Sequence, residues 1–149
     1  MTAITTPSNN RDLQDEQNVA DGSYTVKTAV TIPQGAIVQI ISSTGRVTNA
    51  SKVAGRQMCG IALETRTGTA GGTVVIKVRT AGTVKLVGAA ALTKGYLGCN
   101  VAVVDNNTVS TRSSAGTAAN SLVCIVGRLK QLNSTNAWVE INNLAQRYV

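Results

Sequence analysis

The sequence predicts an all-β protein, either an antiparallel β-barrel or a two-sheet sandwich of about 9–10 short strands, with an extended N-terminal arm. From Tyr24 onward, short apolar-rich runs alternate with turn residues at intervals of about 8–12 positions. This part of the chain lacks the apolar spacing that an amphipathic helix requires. The chain contains no Phe and only 3% aromatic residues, so its core must consist of aliphatic side chains, which pack well on pleated sheets.

The first strands follow from an alternating segment and two turns. Tyr24–Ile32 alternates between apolar and polar side chains over much of its length. Pro33–Gly35 then turns the chain into Ala36–Ile41, which is nearly all apolar, and Ser42–Gly45 forms the next turn. The apolar-rich run Gln57–Glu64 predicts the strand that follows.

The centre of the sequence predicts a β-hairpin. A Gly-rich turn at Gly68–Gly72 leads into Thr73–Arg79, which places Val and Ile on one face and basic residues on the other. Ala81–Gly82 is expected to bend the chain tightly into a partner strand at Thr83–Val87.

The remaining strands surround a strong turn signal at Asp105–Asn107. An Ala-rich stretch, Gly88–Thr93, precedes them and predicts one short helical turn. The predicted strands are Leu97–Val104, Thr108–Arg112, Ser121–Leu129 and Ala137–Asn142.

The charge distribution divides the chain near residue 22. The whole protein carries +7, yet residues 1–21 contain four acids and one arginine, a net charge of −3. Residues 1–22 have too few apolar side chains to fold alone, so we assign them to an acidic polar arm and residues 23–149 to a β domain. The arm is either a disordered tail or a segment that orders on a partner or sister subunit. Its acids could also fold back on the basic body.

An arm that orders on a partner needs anchors and polar contacts. Its sizeable apolar side chains would supply the anchors, and its charged side chains the contacts. The predicted protein-binding residues are Ile4, Arg11, Asp12, Leu13, Asp15, Glu16 and Val19.

The sequence argues against catalysis. It contains no His, which excludes Ser–His–Asp and Cys–His sites. The β domain has three acids, Glu64, Asp105 and Glu140, in different strands or turns, so no carboxylate pair is expected to face one cleft. We expect Asp105 to bind its own turn and the two glutamates to pair with basic residues. We therefore predict a non-enzymatic protein.

Cysteine usage and hydropathy point the same way. Cys59, Cys99 and Cys124 are widely spaced, form no CxxC pair and lack a His to complete a mixed zinc site. We interpret them as small hydrophobic residues in a reducing compartment, with a disulfide or a reactive thiol as the alternative, and predict neither metal nor cofactor. The sequence shows no signal peptide and no membrane-spanning run, so a cytoplasmic origin is expected.

A basic body raises the question of nucleic-acid binding. Lys77, Arg79 and Lys85 are expected on adjacent strands, where they could form a basic stripe. Single-strand binders also need aromatic platforms for base stacking, and the sequence places no aromatic residue beside these three. The sequence therefore argues against direct nucleic-acid binding and favours an acidic protein partner.

Residues 57–142 carry an ordered series of short Gly- and Val-rich motifs. These are Gly60-Ile61-Ala62-Leu63, Val74-Val75-Ile76-Lys77-Val78, Gly82 with Thr83–Leu86, Leu92-Thr93-Lys94-Gly95, Gly98–Val104, Ile125-Val126-Gly127-Arg128 and Trp138-Val139-Glu140-Ile141. In this order the motifs resemble small phage capsid decoration proteins, also called head-stabilising or cement proteins. The acidic arm is an addition to that compact pattern.

The resemblance implies a structural protein of the bacteriophage virion, made in the host bacterial cytoplasm and bound to the capsid exterior. Its expected partners are the major capsid protein and itself, commonly as a homotrimer, with no membrane. It would stabilise the capsid by bridging neighbouring capsid subunits. The alternative is another virion module, such as a head fibre base, a tail component or a receptor-binding component. Long fibres generally show repeats, and none is visible in this sequence.

Overall fold

The structure is a computed structural model that describes residues 20–53, 55–112 and 124–142. It confirms the all-β prediction, with eleven strands in the described residues and a 3-10 helix at Lys94–Tyr96. The strands are β1 (Ala20–Thr25), β2 (Thr31–Ile32), β3 (Ile37–Ile41), β4 (Val47–Asn49), β5 (Arg56–Ala62), β6 (Arg66–Thr67), β7 (Val75–Gly88), β8 (Asn100–Val103), β9 (Thr108–Thr111), β10 (Ile125–Asn133) and β11 (Asn136–Asn142).

The longest strand, β7, has 14 residues and belongs to both halves of the molecule. Every even-numbered residue is buried or, at Val84, half-buried, while the odd-numbered residues face outward. The predicted hairpin at Ala81–Gly82 is therefore wrong. The two halves of β7 do not pair with each other, because β1 pairs with the first half and β11 with the second. Gly82, at φ 125°, lets the strand continue through this point.

The first half of β7 belongs to a ring of strands that we call barrel 1. Here β7 pairs antiparallel with β1 and β5, β5 with β3, and β3 with β4. A parallel bridge between Val26 and Val47 connects β4 back to the residue after β1. This bridge closes the ring, so a barrel describes this half better than a sandwich.

The second half of β7 belongs to a second ring, barrel 2. Its neighbours in order are β11, β10, β8 and β9, all paired antiparallel. The ring closes where β9 pairs parallel with β7, at Val87 and Gly88. The predicted antiparallel pairing is thus found in most of the sheet, but both rings close through a parallel contact. Closure leaves few open strand edges for unwanted pairing.

Barrel 1 and barrel 2 repeat one topology, strand for strand. The strands correspond in pairs: β1 to the second half of β7, β3 to β8, β4 to β9, β5 to β10, and the first half of β7 to β11. The Cα registers agree between the units: the equivalent pairs are Val38–Gly60 and Val101–Gly127, Ala62–Val78 and Leu129–Val139, Gly22–Val78 and Val84–Val139. The chain therefore contains an internal structural repeat, which the sequence pattern did not reveal. The first half of β7 is the last strand of barrel 1, and its second half is the first strand of barrel 2.

Backbone hydrogen bonds repeat as well. The Gly35 N–H donates to the Ala62 carbonyl at 2.8 Å, and the Gly98 N–H donates to the Leu129 carbonyl at 2.8 Å. Both glycines have positive φ angles, 85° and 83°, in which only glycine is unstrained. The turn before the second strand of each unit is thus built in the same way.

A pair of equivalent glycines marks a close contact between strands in each barrel. A Cβ at Gly60 would collide with the Arg79 carbonyl, and a Cβ at Gly127 would collide with the Glu140 carbonyl. Each glycine lies next to a register shift in its sheet. Only glycine lets the neighbouring strand approach this closely at these two equivalent positions.

Two hydrophobic cores follow from the two rings. On β5, Cys59 and Ala62 face the core of barrel 1, whereas Met58 and Ile61 contribute to the core centred on barrel 2. Both faces of β5 are therefore buried, and the side chains of β3 are likewise shared between the two cores. This double burial explains why the predicted strand Ala36–Ile41 is nearly all apolar.

Five local features differ from the expectations. β4 was not predicted, because three residues carry too little pattern, and β2 pairs with β6 in a separate small sheet. β1 begins at Ala20, so residues 20–22 of the predicted arm are part of the sheet. The helical turn lies at Lys94–Tyr96, after the predicted Gly88–Thr93 stretch. β10 continues to Asn133, beyond the predicted end at Leu129, and forms a hairpin with β11.

The repeated glycine contact gives a matched pair of mutations. Gly60→Ala and Gly127→Ala should each lower the free energy of unfolding by about 1–3 kcal/mol or more, because an added methyl group forces two strands apart. Urea denaturation measures the effect. Gly71→Ala is the control, since the nearest atoms to a Cβ there lie 3.9 and 4.0 Å away on Thr73. A small effect at either Gly60 or Gly127 would contradict the equivalence of the two units.

Candidate interaction surface

The acidic side chains of the described body serve local structure. The Asp105 carboxylate accepts hydrogen bonds from the Asn107 and Thr108 N–H groups, both at 2.8 Å, so it stabilises its own turn. Glu140 lies 3.5 Å from Lys130. Both arrangements match the sequence-based expectation. Within residues 20–53, 55–112 and 124–142, no group of three or more His, Cys, Asp or Glu side chains could hold a metal ion.

Glu64 is bound from two sides. Its carboxylate accepts a hydrogen bond from the Arg66 guanidinium at 3.0 Å and another from the Lys77 backbone N–H at 3.1 Å. These bonds lower the pKa of Glu64, with the Arg66 bond the larger cause. The carboxylate therefore stays ionised and paired, as a structural rather than a proton-transferring group.

The three cysteines are free and differ in exposure. Cys59 is buried, Cys124 is half-buried and Cys99 is exposed. Burial raises the pKa of Cys59 from its ordinary value of 9.0 to about 12, and burial also raises the pKa of Cys124. Both therefore remain neutral thiols near pH 7. The interpretation as buried hydrophobes fits Cys59 best and does not fit Cys99.

The outward side of barrel 2 carries a mixed basic and aromatic surface, which we call the basic face. It consists of the outward residues of β7, β11 and β10: Thr83, Lys85, Trp138, Glu140, Arg128, Lys130 and Gln131. In the register of the sheet, Lys85 lies opposite Trp138, and Trp138 lies opposite Gln131. Lys85 and Arg128 have no ion-pair partner within the described part of the chain.

The position of Trp138 corrects the expectation about aromatic residues. Lys77, Arg79 and Lys85 lie on the single strand β7 rather than on adjacent strands, and they share its outward side. Trp138 is directly across from Lys85 on β11 and is half-buried. The sequence could not place this pair together, because the two residues are far apart in the chain and meet only when barrel 2 closes.

The repeat shows that this arrangement is particular to barrel 2. The barrel 1 pair equivalent to Lys85 and Trp138 is Ser23 and Lys77. The equivalent of Glu140 is Arg79, which makes a 3.6 Å ion pair with Asp21. Two units with one backbone plan thus present different outward chemistry, and only barrel 2 places a tryptophan among the cations.

A turn beside the basic face exposes apolar side chains. Tyr96 and Leu97 are 40% and 46% exposed, although they are large and consecutive. The turn follows β10, because the Gly98 N–H donates to the Leu129 carbonyl and the Leu129 N–H donates to the Cys99 carbonyl. In barrel 1 the equivalent positions are occupied by Pro33 and Gln34. We call Tyr96, Leu97 and Cys99 the apolar turn.

The residues predicted from sequence to bind a partner lie in the arm. Ile4, Arg11, Asp12, Leu13, Asp15, Glu16 and Val19 all fall outside the described residues. Their role stays a prediction. The basic face and the apolar turn are the surfaces that sequence reasoning missed. The consecutive large residues Tyr96 and Leu97 were a possible signal, but Leu97 was assigned to the predicted strand Leu97–Val104.

Comparisons with known proteins leave the chain without an assigned family: no family model, curated protein or solved structure matches it. Within the described ranges, no helix is both long and apolar enough to span a membrane.

The burial of the cysteines predicts their order of reactivity and an alkaline transition. A thiol reagent should label Cys99 rapidly in the native protein and Cys59 only on unfolding.

Because the pKa of Cys59 is raised in the folded state, its stabilising effect is present below pH 9 and is lost as the pH rises from 9.0 towards about 12. Cys59→Ala should therefore flatten the loss of stability over this range in urea denaturation.

Proposed function

We propose that this chain is a structural virion protein that binds the outer surface of an assembled phage capsid and stabilises it by bridging neighbouring capsid subunits. The family-like order of sequence motifs suggests this role. Two barrels that share β7 offer a body for bridging, and the absence of His from the sequence argues against the commonest catalytic sites. Its expected partners are the major capsid protein and further copies of itself, as a homotrimer.

The observation that carries the proposal is the apolar turn beside Arg128. Tyr96 and Leu97 are exposed side by side, and Arg128 lies on β10, whose carbonyl and N–H groups bind the same turn. Tyr and Arg are enriched among the residues that dominate protein–protein binding energy. An apolar centre with cations at its rim fits a protein surface of opposite charge.

Binding to the assembled lattice would stabilise the shell by mass action. A protein that binds the shell but not free subunits shifts the equilibrium toward the shell, in proportion to the logarithm of its concentration over its Kd. A trimer multiplies weak contacts, since the second and third bind at a high effective concentration. Several linked copies would therefore bind more tightly than the small apolar turn of a single copy.

The competing reading is another virion module, such as a head fibre base, a tail component or a receptor-binding component. The internal repeat removes one argument against it, because the absence of repeats no longer counts against a fibre. The residues that the structure describes contain two units, whereas a long fibre is expected to show many. Immunolabelling of intact particles separates the two, since a decoration protein would cover the capsid and the other modules would label a vertex or the tail.

Shell binding should depend on the apolar turn and should cover Cys99. Leu97→Ser should weaken binding to assembled shells of the parent phage in a sedimentation assay, whereas Val53→Ser should not, although Val53 is 53% exposed. Shell-bound protein should react with a maleimide at Cys99 more slowly than free protein. Equal binding to shells and free capsid subunits would contradict the lattice mechanism, and equal labelling of Cys99 would contradict this placement of the contact.

The pairing of Lys85 with Trp138 calls for a direct test of nucleic-acid binding. We expect none of functional strength, because one half-buried tryptophan is a poor stacking platform. A titration with single-stranded DNA at two salt concentrations measures it. Affinity that falls steeply with salt would favour phosphate-driven binding instead of a protein partner.

A further inference from the structure

We infer that in the free protein the acidic N-terminal segment, residues 1–19, docks on the basic face of its own chain, at Lys85 and Trp138. The inference goes beyond the proposed function and holds for the free protein whatever partner it has. It is based on where the segment joins the body, on charge, and on the composition of the face.

The segment joins the body beside β7, the strand that carries Lys85 of the basic face. Ala20, the residue after the segment, pairs with Ala81 of β7, and Lys85 follows four positions later on the same strand. Four positions of extended strand span about 13 Å. Glu16 precedes Ala20 by the same number of positions, so an extended segment can bring its acids to Lys85 without help from another copy.

Charge complementarity begins inside the described structure. Asp21, the last acid of the acidic stretch, already makes a 3.6 Å ion pair with Arg79 on the outward side of β7. The acids that precede it are Asp12, Asp15 and Glu16, against Arg11 alone. The basic face offers three cations, Lys85, Arg128 and Lys130, against one acid, Glu140. Only Lys130 of these cations has an ion-pair partner among the described residues.

Trp138 gives the segment an apolar contact at the same place. It is half-buried at the centre of the face and lies across from Lys85. Leu13 and Val19 are the apolar side chains of the segment closest to its junction. A hydrophobic contact with a surrounding ring of charges is the arrangement expected of a specific interface.

The docking would compete with any acidic partner that uses the same side of barrel 2. On an assembled shell, exchange of the segment for the partner would release it to make the contacts predicted for Ile4 and the other arm residues. The apolar turn lies on the far side of β10 from Lys85, so the two contacts are separable by mutation.

The chain contains a single tryptophan, which makes Trp138 a direct reporter. Deletion of residues 1–19 should shift its emission to longer wavelength and raise its quenching by acrylamide. The triple reversal Asp12→Lys, Asp15→Lys and Glu16→Lys in the full chain should do the same, as should high salt in the wild type. An unchanged spectrum in both the deletion and the reversal would overturn the inference.

Matched variants locate the docking site. Lys85→Glu should reproduce the red shift, whereas Lys27→Glu, an exposed lysine on barrel 1, should not. Combining Lys85→Glu with Glu16→Lys should partly restore the wild-type spectrum if the two charges face each other. An equal shift from Lys27→Glu would show a general charge effect and overturn the assignment.

Dilution separates the same chain from a neighbouring copy. The emission spectrum of the wild type should stay constant as the protein is diluted, because the docking is intramolecular. A red shift that accompanies dissociation of an oligomer would assign the segment to a sister subunit and overturn the inference as stated. None of these measurements uses capsids, so failure here and failure of shell binding are independent results.

Discussion

The structure depends on the continuity of β7. A single 14-residue strand supplies inward side chains to both barrels, and its alternation stays in phase from Ile76 to Gly88. A change of phase at Ala81 or Gly82 would turn one set of inward residues to solvent, because side chains alternate with a period of two. The two barrels therefore cannot fold as unrelated domains: the strand that completes the first is the strand that begins the second.

Because the two units share a strand, the features that they have in common are mainly features of the backbone rather than of the side chains. The two units agree in register, in the turn glycines Gly35 and Gly98, and in the close approach at Gly60 and Gly127. Their core side chains are identical at some equivalent positions, such as Val78 and Val139, and differ at others, such as Ala62 and Leu129. Outward residues are freer still, and barrel 2 has Trp138 and the apolar turn where barrel 1 has Lys77 and Pro33.

The all-β class was predictable from the sequence, and most turns were too. Asp105–Asn107 forms the expected turn because an Asp carboxylate binds the N–H groups that follow it. The hairpin at Ala81–Gly82 was wrong because a small residue followed by glycine also fits inside a strand. Gly60 and Gly127 each lie in one of the short motifs of the sequence. Their equivalence could not be seen, since the contact that requires each glycine is with a carbonyl distant in sequence.

The candidate surface shows the same division between local and long-range information. Composition gives the basic charge of the body directly, and the absence of His led to the prediction of a non-enzymatic protein, which stays a prediction. It placed the partner contacts in the arm, on the acidic residues and on Ile4, Leu13 and Val19, where they remain predictions. Tertiary structure decided which cations share a face and which aromatic residue lies among them. Pairing of β7 with β11 brings Lys85 to Trp138 through backbone hydrogen bonds that carry no side-chain signal, so only the folded sheet could reveal that surface.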